Sequence, residues 1–154
     1  MRRALLLAGR LALGLVFLYA AYSKLRPPIH PAPSLSVSLS LFAMQIDSYQ
    51  LLPVWAVTPL ARALPFLELM LGALLLIGYR IHIVAAATSA LLLVFFGVML
   101  RTYFRGLEIN CGCFGPGETL GVKSLMRDAL LLGVSLVVTT TAFLSARDAR
   151  APQT

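Results

Sequence analysis

Residues 81–100 read IHIVAAATSALLLVFFGVML, an apolar run from Ile81 to Leu100 bounded by Arg80 and Arg101 with no Asp, Glu, Lys or Arg inside it. An α-helix rises ~1.5 Å per residue, so ~20 such residues cross a ~30 Å hydrocarbon core. Three further runs of similar character lie at about 4–22, 60–79 and 125–144. In hydrocarbon the backbone N–H and C=O groups must find partners within the segment, so these runs predict four transmembrane helices and not open strands. The expected fold class is an all-α integral membrane four-helix bundle, a single membrane domain over 1–154 with both termini on one side.

Composition agrees. Only 12% of the 154 residues are charged and 59% are hydrophobic, against about 25% charged in an ordinary soluble domain. The net charge of +7 would suit nucleic acid, but the basic residues stand at the ends of the apolar runs, where they anchor helices to headgroups. Nucleic acid is therefore excluded as a partner and the lipid bilayer is expected. Arg2 and Arg3 resemble the start of a secretory signal, yet Arg10 interrupts the early apolar stretch and the run continues to Tyr22 without a clean small-x-small cleavage site; the run is read as a retained helix. Six basic residues fall on the side of the termini and seven on the other, so the charge count does not orient the chain. Arg2 and Arg3 favour cytoplasmic termini.

Tyr22-Ser23-Lys24-Leu25-Arg26 closes the first run, and Pro27, Pro28, Pro31 and Pro33 stop its continuation. Serine alternates with apolar residues from Ser34 to Leu41, the period of a strand, whereas Phe42, Ile46 and Tyr49 follow helical spacing. The expectation is a short amphipathic helix over about 39–50, lying in the interface. Trp55 then stands where interfacial aromatics belong. Gly78-Tyr79-Arg80 is a tight turn joining the second and third runs as a hairpin.

The loop over about 101–124 holds Asn110-Cys111-Gly112-Cys113-Phe114-Gly115-Pro116-Gly117, with the two cysteines of the chain. A disulfide needs α-carbons ~4.4–6.8 Å apart. Positions i and i+2 reach that range when the backbone bends, and Gly112 bends at least steric cost. So small a ring is strained and easily reduced, which suits exchange more than stapling. Arg105, Lys123 and Arg127 flank the loop and favour thiolate. Two rival readings stand beside this one. The pair supplies half of a tetrahedral zinc set, with His30 as the histidine on that face, or it is an inert pair in a loop. We read the cysteines as redox-active and assign no metal.

Glu68 lies near the middle of the second run, where an ionised side chain is costly and a functional candidate by default. Counted from the side of the termini, Arg10 sits ~9 Å deep and Glu68 ~16 Å deep, so an ion pair between them is expected. In its functional version, Glu68 accepts protons from thiol or quinol chemistry. Arg62 reads as an interfacial anchor, and His82 as a solvated helix start. Asp128, beside Arg127, reads as a carboxylate at the positive end of the last helix. Met44, Met70, Met99 and Met126 read as packing, and Ala4, Ala8 and Ala12 as small residues spaced for close helix contact.

The string Cys111-Gly112-Cys113-Phe114-Gly115 between membrane helices resembles the MauE branch of the DoxX-like membrane proteins. So do Tyr22-Ser23-Lys24-Leu25, Phe42…Ile46…Tyr49…Leu51-Leu52-Pro53 and Pro65…Leu67-Glu68-Leu69…Gly72, a likeness covering roughly 10–140. The resemblance implies a multi-pass inner-membrane protein of methylamine utilisation. It would support maturation or export of a periplasmic enzyme such as the disulfide-rich small subunit of methylamine dehydrogenase. The chain would then be a thiol–disulfide oxidoreductase with its cysteine loop in the periplasm, using Cys111 and Cys113, with Glu68 as a second polar site. Its partners would be an exported cysteine-containing client and a redox partner. In form it is also similar to disulfide-forming membrane enzymes of the vitamin K epoxide reductase type, which implies a quinone as candidate cofactor. Those enzymes carry Cys-x-x-Cys and a second cysteine pair. This chain has a single spacer and no second pair, so a relay needs a separate protein or a direct acceptor. A non-catalytic assembly factor and a DoxX-like quinone-binding subunit of a respiratory oxidoreductase are the alternative readings.

Overall fold

The computed structural model describes residues 2–26, 34–106, 109 and 119–148. They form α1 (Arg2–Leu25), α2 (Leu35–Ser48), α3 (Val54–Ile77), α4 (Ile81–Phe104) and α5 (Val122–Asp148). All but α2 are long and apolar enough to cross a membrane, so the chain is an all-helical, multi-pass membrane protein. Large apolar side chains such as Trp55, Val94, Leu130 and Phe104 stand on the outside. A surface this apolar is covered by lipid in a four-span protein.

The packing follows from where small residues stand. At the α1–α3 crossing Gly14 meets Gly72: a Cβ on Gly72 would lie 3.0 Å from the Gly14 carbonyl oxygen and 3.1 Å from the Leu18 nitrogen. Without a Cβ at either position the two backbones touch, the close approach that membrane helices use in place of hydrophobic driving force. Pairing of Gly14 with Gly72, and of Arg10 with Gly78, makes α1 and α3 antiparallel. Ser89 of α4 hydrogen-bonds to Ser135 (3.1 Å) and Thr139 (2.9 Å) of α5, and His82 meets Phe143 edge-on, so these two helices are antiparallel as well. Leu13, Phe17, Leu75, Ala85, Leu92 and Val138 form the core shared by the four spans.

Several expectations shift. Ala4, Ala8 and Ala12 face outward; the close contact belongs to the glycines instead. The period-two serines do not form a strand, since α2 begins at Leu35. Their hydroxyls bond back one turn, Ser38 to the Ser34 carbonyl (3.2 Å) and Ser40 to that of Ser36 (2.9 Å), so a helix satisfies them as well as a strand would. The second span starts at Val54, before Pro59. That proline lies in the second turn and forfeits one backbone bond, which a membrane helix tolerates. α5 starts at Val122, so Asp128 falls outside its first turn. His82 is half-buried against Phe143, not a solvated end. Of the four methionines read as packing, Met99 is in the core while Met44, Met70 and Met126 lie on the outer surface.

Candidate functional site

Glu68 sits about 21 Å from the start of α3 and about 14 Å from its end, counting ~1.5 Å per residue. It is 3% exposed. Its partner is Lys24, not Arg10: Lys24 Nζ donates to Oε1 (2.9 Å) and Oε2 (2.8 Å), and Lys24 is itself only 5% exposed. Helix geometry explains the exchange of partners. Every Cα–Cβ bond tilts toward its own helix N-terminus. That tilt carries the Lys24 side chain from the last turn of α1 back into the bundle, and carries Glu68 on antiparallel α3 toward it.

The same tilt sends Arg10 away from Glu68. Its guanidinium packs beside Gly78, where any Cβ would collide with it. Gly78 caps α3 with φ +79°, so it is fitted to glycine by both backbone and space. A cation there faces the negative end of the α3 dipole. Arg10 Nε is buried and has no hydrogen-bond partner among the described residues.

The Lys24–Glu68 pair lines a cavity of about 350 Å³ together with the polar residues Gln45 and Asp128. Lys24 Nζ also stands 5.4 Å from the centroid of the Phe42 ring, within the range of a cation–π contact. α2 contributes this wall because Phe42 docks against Ala61 and Leu64 of α3. Phe17, Tyr49, Leu92 and Phe95 line much of the remainder. Asp128 of α5 reaches the same cavity; it is buried, with Arg127 Nε 3.5 Å from its Oδ1. Arg62 is exposed on α3, but the start of that helix at Val54 puts it eight residues in and not at the helix end that the anchor reading assumed.

Cys111 and Cys113, and the alternative metal ligand His30, lie outside the described residues. Their flanks are described. The Leu120 N–H donates to the Ile109 carbonyl at 2.8 Å, and Leu120 packs on Met99 together with Ile109, Tyr49 and Leu125. Met99 and Tyr49 in turn line the cavity. The connection that carries the cysteines therefore leaves and rejoins the bundle beside the cavity. Among the described residues no three His, Cys, Asp or Glu side chains come together to hold a metal.

Sequence reasoning found Glu68 but missed Lys24, Phe42 and Asp128 as its companions. The available signal was the antiparallel register: once α1 and α3 are paired in opposite directions, the basic residue able to point inward toward Glu68 is the one at the end of α1.

The fold and site define a polytopic helical-bundle membrane protein enclosing an apolar cavity around a buried ion pair. The chain belongs to the MauE family, since the model described as "Methylamine utilisation protein MauE" matches residues 2–141. It is 31% identical over 136 residues to a "Methylamine utilization protein MauE" of Paracoccus denitrificans, covering 86% of this chain and 67% of that one. A protein of the same description from Methylophilus methylotrophus is 32% identical over 97 residues, covering 60% of this chain. The matched stretch spans about half (51%) of that relative. No solved structure matches the chain.

Proposed function

We propose that this protein carries out thiol–disulfide exchange at Cys111 and Cys113, in support of the maturation of an exported cysteine-containing enzyme. The setting is methylamine utilisation, after which its relatives are described, and the client class is the disulfide-rich small subunit of methylamine dehydrogenase. The membrane is the inner membrane, with cytoplasmic termini and the cysteine connection in the periplasm, where disulfides persist.

One observation carries the reading. The two cysteines of the chain stand one residue apart in a segment whose flanks, Ile109 and Leu120, are hydrogen-bonded to each other at the end of the bundle. That the flanks of the thiol pair close on each other beside the cavity supports a reading in which the pair exchanges with a client and is re-oxidised by a second partner. In the exchange, two client thiols give up their protons and two electrons, a client S–S bond forms, and the Cys111–Cys113 disulfide becomes a dithiol. Glu68, paired with Lys24, is the second polar site.

A membrane-impermeant thiol reagent applied to intact cells tests this reading. Labelling that appears only after mild reduction supports an external disulfide, whereas labelling only after lysis places the thiols on the reducing side and removes the reading. Changing both cysteines to serine should also abolish client maturation. Maturation that survives this change assigns the protein to the non-catalytic assembly factors.

A further inference from the structure

The bundle end formed by the start of α1, the end of α3, the start of α4 and the end of α5 holds a cation that the Lys24–Glu68 pair does not use. Arg10 belongs to the first span, yet its side chain tilts toward the start of α1 and brings the guanidinium level with Gly78, just beyond the α3 span. There its Nε is buried without a hydrogen-bond partner among the described residues. The end of the α3 dipole sets only about half a charge against it. A buried donor left unpaired is costly, so this position calls for an acceptor from outside the described residues.

The surroundings fix the sign and kind of that acceptor. Arg80 is exposed beside Tyr79, its guanidinium carbon 5.9 Å from the ring centroid. Arg147 is exposed one turn beyond Phe143, the residue that meets His82, so it falls at the same end. α4 starts here with no side-chain cap and no acidic residue in its first turn, which adds the positive end of its dipole. Among the described side chains no carboxylate shares this end: Glu68 is in mid-span, Asp128 lies near the start of α5 and Asp47 near the end of α2. The local charge is positive and suits an anion. A guanidinium matches phosphate oxygens through paired N–H···O bonds. Ile77 is 74% exposed next to Gly78, and Leu7, one turn before Arg10 on α1, is 50% exposed. Free phosphate gains nothing from these apolar surfaces, whereas a phospholipid lays its chains on them.

We propose that this end of the bundle binds the phosphate of one anionic phospholipid, held by Arg10 in the groove between α1 and α3 with Arg80 beside it, its acyl chains along Leu7 and Ile77. An arginine exposed at a helix end takes any headgroup in passing; Arg10 is half-buried in a groove, which makes this a site for one lipid. A headgroup such as phosphatidylglycerol brings net negative charge to Arg10, Arg80 and Arg147. The choline of a zwitterionic lipid would bring a cation toward the same three residues. The bound lipid ties the start of α1 to the α3–α4 turn and so steadies the α1–α3 crossing at Gly14 and Gly72. The site is separate from the Lys24–Glu68 cavity and owes nothing to the cysteines.

The test titrates full-length protein in a neutral detergent with phosphatidylglycerol, phosphatidylcholine or inorganic phosphate, read by native mass spectrometry and by the thermal midpoint. The expected result is one phosphatidylglycerol retained in preference to phosphatidylcholine, with a midpoint that rises with phosphatidylglycerol and not with inorganic phosphate. Arg10→Gln should weaken this binding about tenfold, and Arg10→Lys, which keeps the charge and loses the fork, by less. Arg101→Gln removes an exposed charge from the opposite end of α4 and should leave the binding unchanged. Equal losses from Arg10→Gln and Arg101→Gln would reduce the effect to diffuse attraction and overturn the proposal, as would equal retention of phosphatidylcholine. Protection by inorganic phosphate equal to that by phosphatidylglycerol would assign the position to a soluble anion and overturn the lipid. Should Arg10→Gln fail to fold, the three ligands on the unmodified chain still decide, together with Arg80→Gln, which should weaken phosphatidylglycerol binding; indifference to Arg80→Gln there would overturn the site.

Discussion

Lys24, in the last turn of α1, donates to both carboxylate oxygens of Glu68 in the middle of α3 at 2.9 and 2.8 Å, and both residues are buried. Taking two charges out of water is expensive, and their attraction offsets that cost only while both are present. Glu68→Gln or Lys24→Met alone should therefore lower stability by about 3–5 kcal/mol, because each breaks a buried ion pair by removing one charge. The double variant Lys24→Met/Glu68→Met should recover most of that loss. Denaturant titration of the four proteins in one detergent gives the coupling energy. A double variant as unstable as the sum of the singles would mean the pair is not coupled. A stable double variant that no longer supports client maturation would show that the pair acts beyond packing.

The glycines separate close contact from open space. A Cβ on Gly72 runs into the backbone of α1, with the Gly14 oxygen at 3.0 Å and the Leu18 nitrogen at 3.1 Å, and backbone yields less readily than a side-chain tip. Gly72→Ala should cost about 1–3 kcal/mol, the usual penalty of overpacking. Gly97 and Gly133 have nothing within 4 Å of an added Cβ. Alanine at either should be neutral or stabilise the helix by up to about 1 kcal/mol. Thermal midpoints of the three variants check the contrast, and equal losses at all three would refute the contact.

Much of this architecture was legible in the sequence, because crossing hydrocarbon imposes length and apolarity directly on residues such as those from Ile81 to Leu100. Glu68 was legible for the same reason, a carboxylate in the wrong solvent. Its partner was not. Basic residues at helix ends ordinarily belong to headgroups, and Lys24 looks like one of them until the backward tilt of its side chain is considered together with the direction of α3. Depth along the helix axis favoured Arg10; the tilt sends Arg10 to Gly78 instead. The serine alternation from Ser34 misled because a hydroxyl bonded one turn back removes the preference for a strand.

Ser89 joins α4 to α5 through Ser135 (3.1 Å) and Thr139 (2.9 Å). Hydrogen bonds between membrane helices contribute modestly, about 0.6 kcal/mol on average and up to about 1.7. Ser89→Ala removes both at once and should destabilise by about 1 kcal/mol. Ser135 also bonds to the Leu132 carbonyl at 2.8 Å, so its hydroxyl remains satisfied when Ser89 is lost. Ser135→Ala should accordingly cost no more than Ser89→Ala. A larger loss at Ser135 would show that Ser89 is not the centre of the cluster.

The hydrogen bond from the Leu120 N–H to the Ile109 carbonyl (2.8 Å) closes the base of the cysteine connection. Leu120→Pro removes that donor, while Leu120→Ala keeps the donor and loses only side-chain packing on Met99. If the closed base holds Cys111 and Cys113 in a geometry suited to exchange, the proline variant should exchange with glutathione at a different rate from the alanine variant. The two should share the same helical circular dichroism. A change of about 30 mV in reduction potential would correspond to roughly 1.4 kcal/mol for this two-electron couple, large enough to resolve in a redox titration. Equal potentials and equal rates in the two variants would show that the backbone bond has no part in the chemistry of the thiols. The effect would then belong to the packing of Leu120 against Met99.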